Sequence, residues 1–295
     1  MRDQLCMITF FTVPKPFNGH IGIIQGNAIH SWQHVDHDCQ IILFGDDYGI
    51  EQFATEHNLT HIPNVEKNAY GTPLLDSVFQ KAQQIACNDI MVYVNTDIIF
   101  LEDLIPAIKK VPFDQFVLTG RRNDIDINKQ IQFDDSHCTK FVECAKHNAK
   151  MLTPSGMDYF VFKKGSIKNI PPFTVGRKGW DNWFIFNARK NHIPVVDISA
   201  SVFATHQNHN YEHIQNKYQS NYEGPESDQN IALINNKRIY RWEIEDANWL
   251  LMQDLLEKKR LNMREVFRQG ILYTPIPLHF IFEIVLICRH HLTKK

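Results

Sequence analysis

Residues 89–101 read Asp-Ile-Met-Val-Tyr-Val-Asn-Thr-Asp-Ile-Ile-Phe-Leu. Ile90 to Val94 is an apolar, β-branched-rich run of strand length, the pattern of a parallel strand buried on both faces. It stops at Asn95-Thr96-Asp97, and apolar residues resume at Ile98. Open α/β sheets bind ligands at the carboxyl ends of their strands, so Asp97 stands where a ligand would lie. Side-chain oxygens at such a point suit a hard divalent cation, and that cation suits a diphosphate. Taken alone, the tripeptide reads as a strand-to-turn transition built from turn-forming residues.

The surroundings repeat the pattern. Leu5–Thr12 reads as a strand, followed by a Pro/Gly-rich loop and a helix over about 23–35. Gln40–Phe44 is a second strand ending at Gly45-Asp46-Asp47, then come a short helix over 51–57 and a strand at 60–62. Leu74, Leu75, Val78, Phe79 and Ala82 have helical spacing. After the central strand, a helix is expected over 102–110 and a strand over 116–119, closing on Gly120-Arg121-Arg122. This rhythm predicts an α/β fold with a mostly parallel sheet flanked by helices. The polar clusters at 46–47, 95–97 and 121–122 then converge on one sheet edge, a stronger signal than any of them alone.

The second half is expected to supply a strand and a helix within 123–150, a strand at 157–163, and a helix opened by Gly179-Trp180-Asp181-Asn182. Strands at 194–198 and 202–205 follow, the latter delivering His206-Gln207-Asn208-His209. A polar loop runs to Asn221. Pro225 starts a helix reaching about Asn235, and a longer helix is expected over 246–268. Ile271 to Cys288 is largely apolar but interrupted by Pro275, Pro277, His279 and Glu283. From Leu278 a helix would align His279, Glu283 and His290. It reads either as an interfacial helix on an anionic membrane or as a helix docked on the core or a dimer interface.

Lys+Arg 31 against Asp+Glu 33 gives a net charge of −2, which argues against a general nucleic-acid binder. The six cysteines contain no Cys-x-x-Cys pair, so free thiols in a reducing cytoplasm are the simplest account. The apolar run before Val13 leads into Pro14 and Pro16 without a small-residue cleavage site, so it reads as a strand rather than a secretion signal. No segment reaches the roughly 20 apolar residues of a spanning helix.

Several stretches together carry a family resemblance. They include Ile8-Thr9-Phe10-Phe11-Thr12, Phe44-Gly45-Asp46-Asp47, Tyr70-Gly71-Thr72-Pro73, Val94-Asn95-Thr96-Asp97-Ile98 and Gly156-Met157-Asp158-Tyr159-Phe160. The most specific are Gly176-Arg177-Lys178-Gly179-Trp180-Asp181-Asn182-Trp183 and His206-Gln207-Asn208-His209. The chain resembles nucleotide-sugar-dependent glycosyltransferases of the GT-A fold, closest to a bacterial group, over about residues 8–235. The resemblance implies a transferase domain at 1–235, with a nucleotide-binding half (1–122) and an acceptor and catalytic half (123–235), and a helical extension at 236–295.

It further implies a divalent metal, Mn2+ or Mg2+, held by Asp97 and His206. Asn95 stands where the family's Asp-x-Asp motif has its first carboxylate. His209 is the fallback ligand and otherwise a hydrogen-bonded loop histidine. Asp181 is the implied general base of an inverting transfer, although its place at a helix start also suits a capping or first-turn residue. Trp180 would offer a flat face to a sugar. Asn95, Arg121 (with Arg122 beside it) and Asp158 are candidate donor-sugar or acceptor contacts. Phe11, Thr12, Asp46, Asp47, Tyr70 and Thr72 are the expected nucleotide contacts.

The implied partners are a nucleotide-diphosphate sugar and a glycan or glycoconjugate acceptor, in polysaccharide biosynthesis. The expected location is the cytoplasm, with residues 271–295 as a candidate peripheral membrane contact. Three alternatives stay open: a retaining transferase with Asp181 holding the acceptor, a nucleotide- or glycan-binding module that has lost catalysis, and a nucleotidyltransferase. The last is expected to carry a Gly-rich basic loop after strand one, which residues 14–22 do not resemble.

Overall fold

The computed structural model describes residues 8–133, 135–209, 223–234, 239, 242–260 and 262–273. The first half runs β1 (Ile8–Thr12), α1 (Gly19–Val35), β2 (Gln40–Phe44), α2 (Ile50–Glu56), β3 (Thr60–Ile62), α3 (Leu75–Ile85) and β4 (Ile90–Val94). After Asp97 come β5 (Ile98–Ile99), α4 (Leu104–Lys109), β6 (Val117–Thr119), β7 (Asn123–Ile125), α5 (Asp135–Asn148) and β8 (Lys150–Met151). Then follow β9 (Tyr159–Lys163), α6 (Trp180–Lys190), β10 (Val195–Asp197), β11 (Thr205–Gln207) and α7 (Pro225–Ile234). The chain closes with β12 (Trp249–Met252), β13 (Leu255–Lys258) and α8 (Met263–Tyr273).

The central sheet has the order β13-β12-β10-β6-β9-β4-β1-β2-β3. As the sequence rhythm predicts, most neighbours are parallel, and helices cover both faces. Strand alternation makes both faces apolar. Phe11, Met91 and Tyr93 face one buried cluster with Phe79, Phe162 and Phe184. Phe10, Val92 and Val94 face the other with Trp32 and Phe100. Each such fully buried side chain contributes about 1.5–3 kcal/mol.

The reversed strand β9 matters most for function. It runs antiparallel between β4 and β6, with Val94 opposite Tyr159. Its first residues therefore reach the edge where its parallel neighbours end, which brings Asp158 beside Asn95. A second, small sheet of order β5-β11-β7-β8 lies at this edge.

Two expectations are corrected. Residues 246–268 are not one helix: β12 and β13 form a hairpin that extends the central sheet, and α8 starts only at Met263. Leu250, Leu251, Leu255 and Leu256 fit helical spacing and two short strands equally. The open edge of β10 decides, through parallel pairing with β12 and reciprocal bonds between Asn248 and Val195. Gln253 takes a left-handed φ of 54° to close the turn. The strand expected at 202–205 is β11 at Thr205–Gln207, so His206 lies within a strand rather than after one.

Residues 274–295, with the stripe His279, Glu283 and His290, lie outside the described residues, as do 210–221 of the expected loop. Among the described residues no helix is long and apolar enough to cross a membrane. Cys39, Cys87 and Cys144 are free thiols.

Candidate active site

The turn after β4 is held from several sides. Ile98 N donates to the Asn95 carbonyl at 3.1 Å, Asn95 N to the Asp158 carbonyl at 3.0 Å, and Gln207 N to the Asp97 carbonyl at 3.1 Å. The Gln207 amide also reaches the Ile24 carbonyl at 2.8 Å. Pairing of β11 with β5 sets His206 opposite Ile98, and pairing with β7 sets it opposite Asp124. Asp97, one residue before β5, is thereby brought against His206.

Asp97, His206 and His209 offer ligand atoms all within 4.8 Å of one another. His209 Nε2 lies 3.1 Å from Asp97 Oδ2, and His206 Nε2 lies 3.7 Å from the same oxygen. Asp97 Oδ1 is buried with no hydrogen-bond partner, the kind of orphaned acceptor that a bound cation satisfies. His206 Nδ1 lies 3.1 Å from Asp124 Oδ1, and neither atom makes a hydrogen bond. Burial opposes the charge on Asp97, but the His209 hydrogen bond, with His206 and Lys15 nearby, outweighs it. The carboxyl is held well below the ordinary carboxylate range. An imidazole pair with an ionised carboxylate fits a divalent metal.

These groups open into a cleft of about 440 Å³. One wall is the loop after β1. The Gln25 side chain of α1 clasps Lys15 there, accepting from its amide at 2.7 Å and donating to its carbonyl at 2.9 Å. Gln25 also accepts from Thr96 Oγ1 at 2.9 Å, so the loop and the Asn95-Thr96-Asp97 turn are tied together. Burial lowers the pKa of the Lys15 ammonium against the pull of Asp97 and Asp158. On the floor, Asp158 accepts from Asn95 Nδ2 at 2.7 Å and from Arg122 at 2.8 Å. Burial works against the charge on Arg122, but Asp158 and Asp124 keep its pKa above the usual value.

The opposite wall carries Arg177 and Lys178. Arg177 donates twice to one oxygen of Glu226, at 3.0 and 2.5 Å. Glu226, buried on α7, also accepts from Asn68 Nδ2 at 2.7 Å. It therefore fastens the 68–72 turn to the 174–178 loop. Glu226→Ala leaves Arg177 without that partner in a partly desolvated site. We expect a loss of roughly 3 kcal/mol in urea unfolding, together with weaker binding of an anionic ligand.

Asp181 sits in the first turn of α6, after Gly179 at φ 101°, and that helix start has no side-chain cap. Its carboxylate accepts from Asn182 N at 2.9 Å and lines the cleft. Burial pushes its pKa up to about 6, the range in which a carboxylate serves as a base near neutrality. Trp180 also lines the cleft but is only 7% exposed, packed edge-on against Tyr93 and Phe160. Little of its face is left for a sugar ring.

The cleft brings together Asp47, Thr72, Asn95, Asp97, Asp158, Trp180, Asp181 and His206 of the residues singled out from the sequence. It does not include Phe11 and Thr12, which are buried in the sheet beneath it. Asp46 is an exposed partner of Lys67, and Tyr70 is exposed on its turn. Arg121 lies outside, its backbone N bonded to Ser199 Oγ, and Arg122 takes the place expected of it. His209 belongs to the cluster, whereas the sequence favours a hydrogen-bonded loop role for it. Lys15, Arg177 and Lys178 are additions. The sequence signal for the last two was their place in Gly176-Arg177-Lys178-Gly179; Lys15, within a Pro-rich loop, had none.

No protein-family model matches the sequence, and no curated protein does. Among solved structures, S. aureus TarS 1–349 in complex with UDP-GlcNAc is 13% identical with a TM-score of 0.48, over 72% of this chain and 62% of that one. A mannosyltransferase, PcManGT from Pyrobaculum calidifontis, in complex with GDP-Man and Mn2+, is 12% identical (TM-score 0.43, 67% and 56%). Glucosyl-3-phosphoglycerate synthase from Mycobacterium tuberculosis, with Mg2+ and UDP, is 12% identical (TM-score 0.42, 77% and 78%). This chain spans less than two thirds of the first two. Likeness at this level does not decide an activity, which rests on the residues of the cleft.

Proposed function

We propose that this cleft is the active site of a metal-dependent glycosyltransferase of the GT-A kind. It moves a sugar from a nucleoside-diphosphate sugar to a hydroxyl of a glycan or glycoconjugate, with inversion. The observation that carries the reading is the shared cleft: a buried Asp-His-His cluster, a wall of cations and a carboxyl with raised pKa all face one space at the ligand-binding edge of the sheet. Asp97 and His206 would hold a divalent ion, which would supply Lewis-acid neutralisation of a leaving diphosphate.

The chain's own groups do the rest. Lys15, Arg177 and Lys178 hold the phosphates by charge and hydrogen bonds. The Asn95–Asp158–Arg122 set orients the sugar. Asp181 takes the proton of the acceptor hydroxyl as its oxygen bonds to the anomeric carbon. The bond from that carbon to the phosphate oxygen breaks, and the electron pair leaves with the nucleoside diphosphate. The two halves read from the sequence, 1–122 for the nucleotide and 123–235 for acceptor and catalysis, keep their roles in this reading, as does a cytoplasmic location.

The test is a panel of nucleotide sugars with Mn2+, scored for release of nucleoside diphosphate. Turnover of at least one donor is expected, with an anomeric proton signal in the product opposite to that of the donor. No release from any donor argues for a binding module, and retained anomeric configuration argues for the retaining alternative.

A further inference from the structure

The make-up of the metal cluster narrows the choice of ion; the inference rests on the metal-dependent reading above and deepens it. Mg2+ and Ca2+ prefer sets of oxygen ligands, and Mg2+ gives up its water reluctantly. Imidazole ligands favour first-row transition ions, with affinity rising from Mn2+ through Co2+. This cluster offers two imidazoles and one carboxylate, and the side chains of His206 and His209 are only 5% and 2% exposed.

Both oxygens of the neighbouring Asp158 carboxylate, which would make the site harder, are already engaged. Asn95 donates its amide to Asp158 at 2.7 Å, and the second Asp158 oxygen accepts from Arg122 at 2.8 Å. Asp97 Oδ1 is buried and, like Asp124 Oδ1, makes no hydrogen bond; Asp124 Oδ1 pairs by charge with Arg122 Nε at 2.9 Å. Asp124 faces His206 Nδ1 at 3.1 Å, which leaves Nε2 toward Asp97. Carboxylates behind metal-bound histidines commonly play this part.

We propose that Asp97, His206 and His209 form a two-histidine, one-carboxylate site that takes Mn2+, Co2+ or Zn2+ in preference to Mg2+ or Ca2+, with Asp124 as a positioning residue for His206. His209 is thus a ligand in its own right.

The test uses the full chain, stripped of metal and free of nucleotide, titrated with Co2+ while its visible absorption is followed. One equivalent is expected to bind and develop a ligand-field band. Zn2+ should displace it near stoichiometrically, whereas Mg2+ should need an excess of roughly 100-fold or more. His209→Gln should weaken Co2+ binding at least about ten-fold. Asp124→Asn should weaken it about 10–100-fold and shift the band, a spectroscopic change that loss of its ion pair with Arg122 alone would not produce. Competition by Mg2+ at equal concentration, or His209→Gln binding Co2+ as the parent does, overturns the proposal. The competition needs no variant to fold. Metal selectivity without any donor turnover would defeat the transferase reading and leave this one standing.

Discussion

Asp97→Ala is expected to abolish metal-dependent nucleotide binding and to lower transfer by about 10³-fold or more, as removal of several kcal/mol of charge stabilisation implies. The carboxylate is the only anionic ligand of the Asp-His-His cluster. Without it the two imidazoles lose the shared oxygen at 3.1 and 3.7 Å, and no other described carboxylate joins the set. The effect should fall on binding measured with metal and spare the weak metal-free binding supplied by Lys15, Arg177 and Lys178. Calorimetry of a nucleoside diphosphate with and without Mn2+ separates the two. A variant whose Mn2+-assisted affinity equals the parent's removes Asp97 from the metal role.

Asp181→Asn is expected to lower kcat by about 10²–10⁴-fold while leaving donor affinity within a few-fold of the parent, the range for a positioned general base. The pH dependence follows from the raised pKa. Only the ionised carboxylate accepts a proton, so kcat should climb as pH rises through about 6 and level off above it. The asparagine variant should lack that limb.

Stability runs the other way. A carboxyl whose folded pKa is raised above its unfolded value favours the fold most below the unfolded pKa of 3.8, and that contribution is lost as pH rises through about 6. Asp181→Asn should therefore raise the melting temperature at pH 8 and do so much less at pH 4. Such a trade is common where a site keeps a charge in a poorly solvated place. Near-parental turnover by a folded Asp181→Asn protein excludes Asp181 as the base.

Sequence periodicity recovered the parallel sheet because buried parallel strands are continuous apolar runs, and Ile90–Val94 and Gln40–Phe44 have no competing reading. The polar end of the central strand pointed to Asp97, whereas His206 and Asp181 were singled out only through the family resemblance; all three line the cleft. The hairpin at 249–258 was not legible, because its leucines satisfy two periods and only the free edge of β10 chooses between them. Lys15 was not legible either: nothing in Pro14-Lys15-Pro16 tells that a glutamine ten residues on will clasp it. The choice of Arg122 over Arg121 depends on which side of the chain faces the cleft after β6, one residue of phase that local sequence does not settle. His209 needed the β5–β11 pairing to bring its loop back to Asp97.

The central claim is that a cation bound through Asp97 grips a diphosphate in this cleft. It is tested most directly by titrating UDP and GDP into the metal-free chain, then repeating with Mn2+. At least one nucleotide should bind ten-fold or more tightly with Mn2+, and the gain should vanish in Asp97→Ala. Equal affinity with and without the metal, or a gain that survives that substitution, would contradict it.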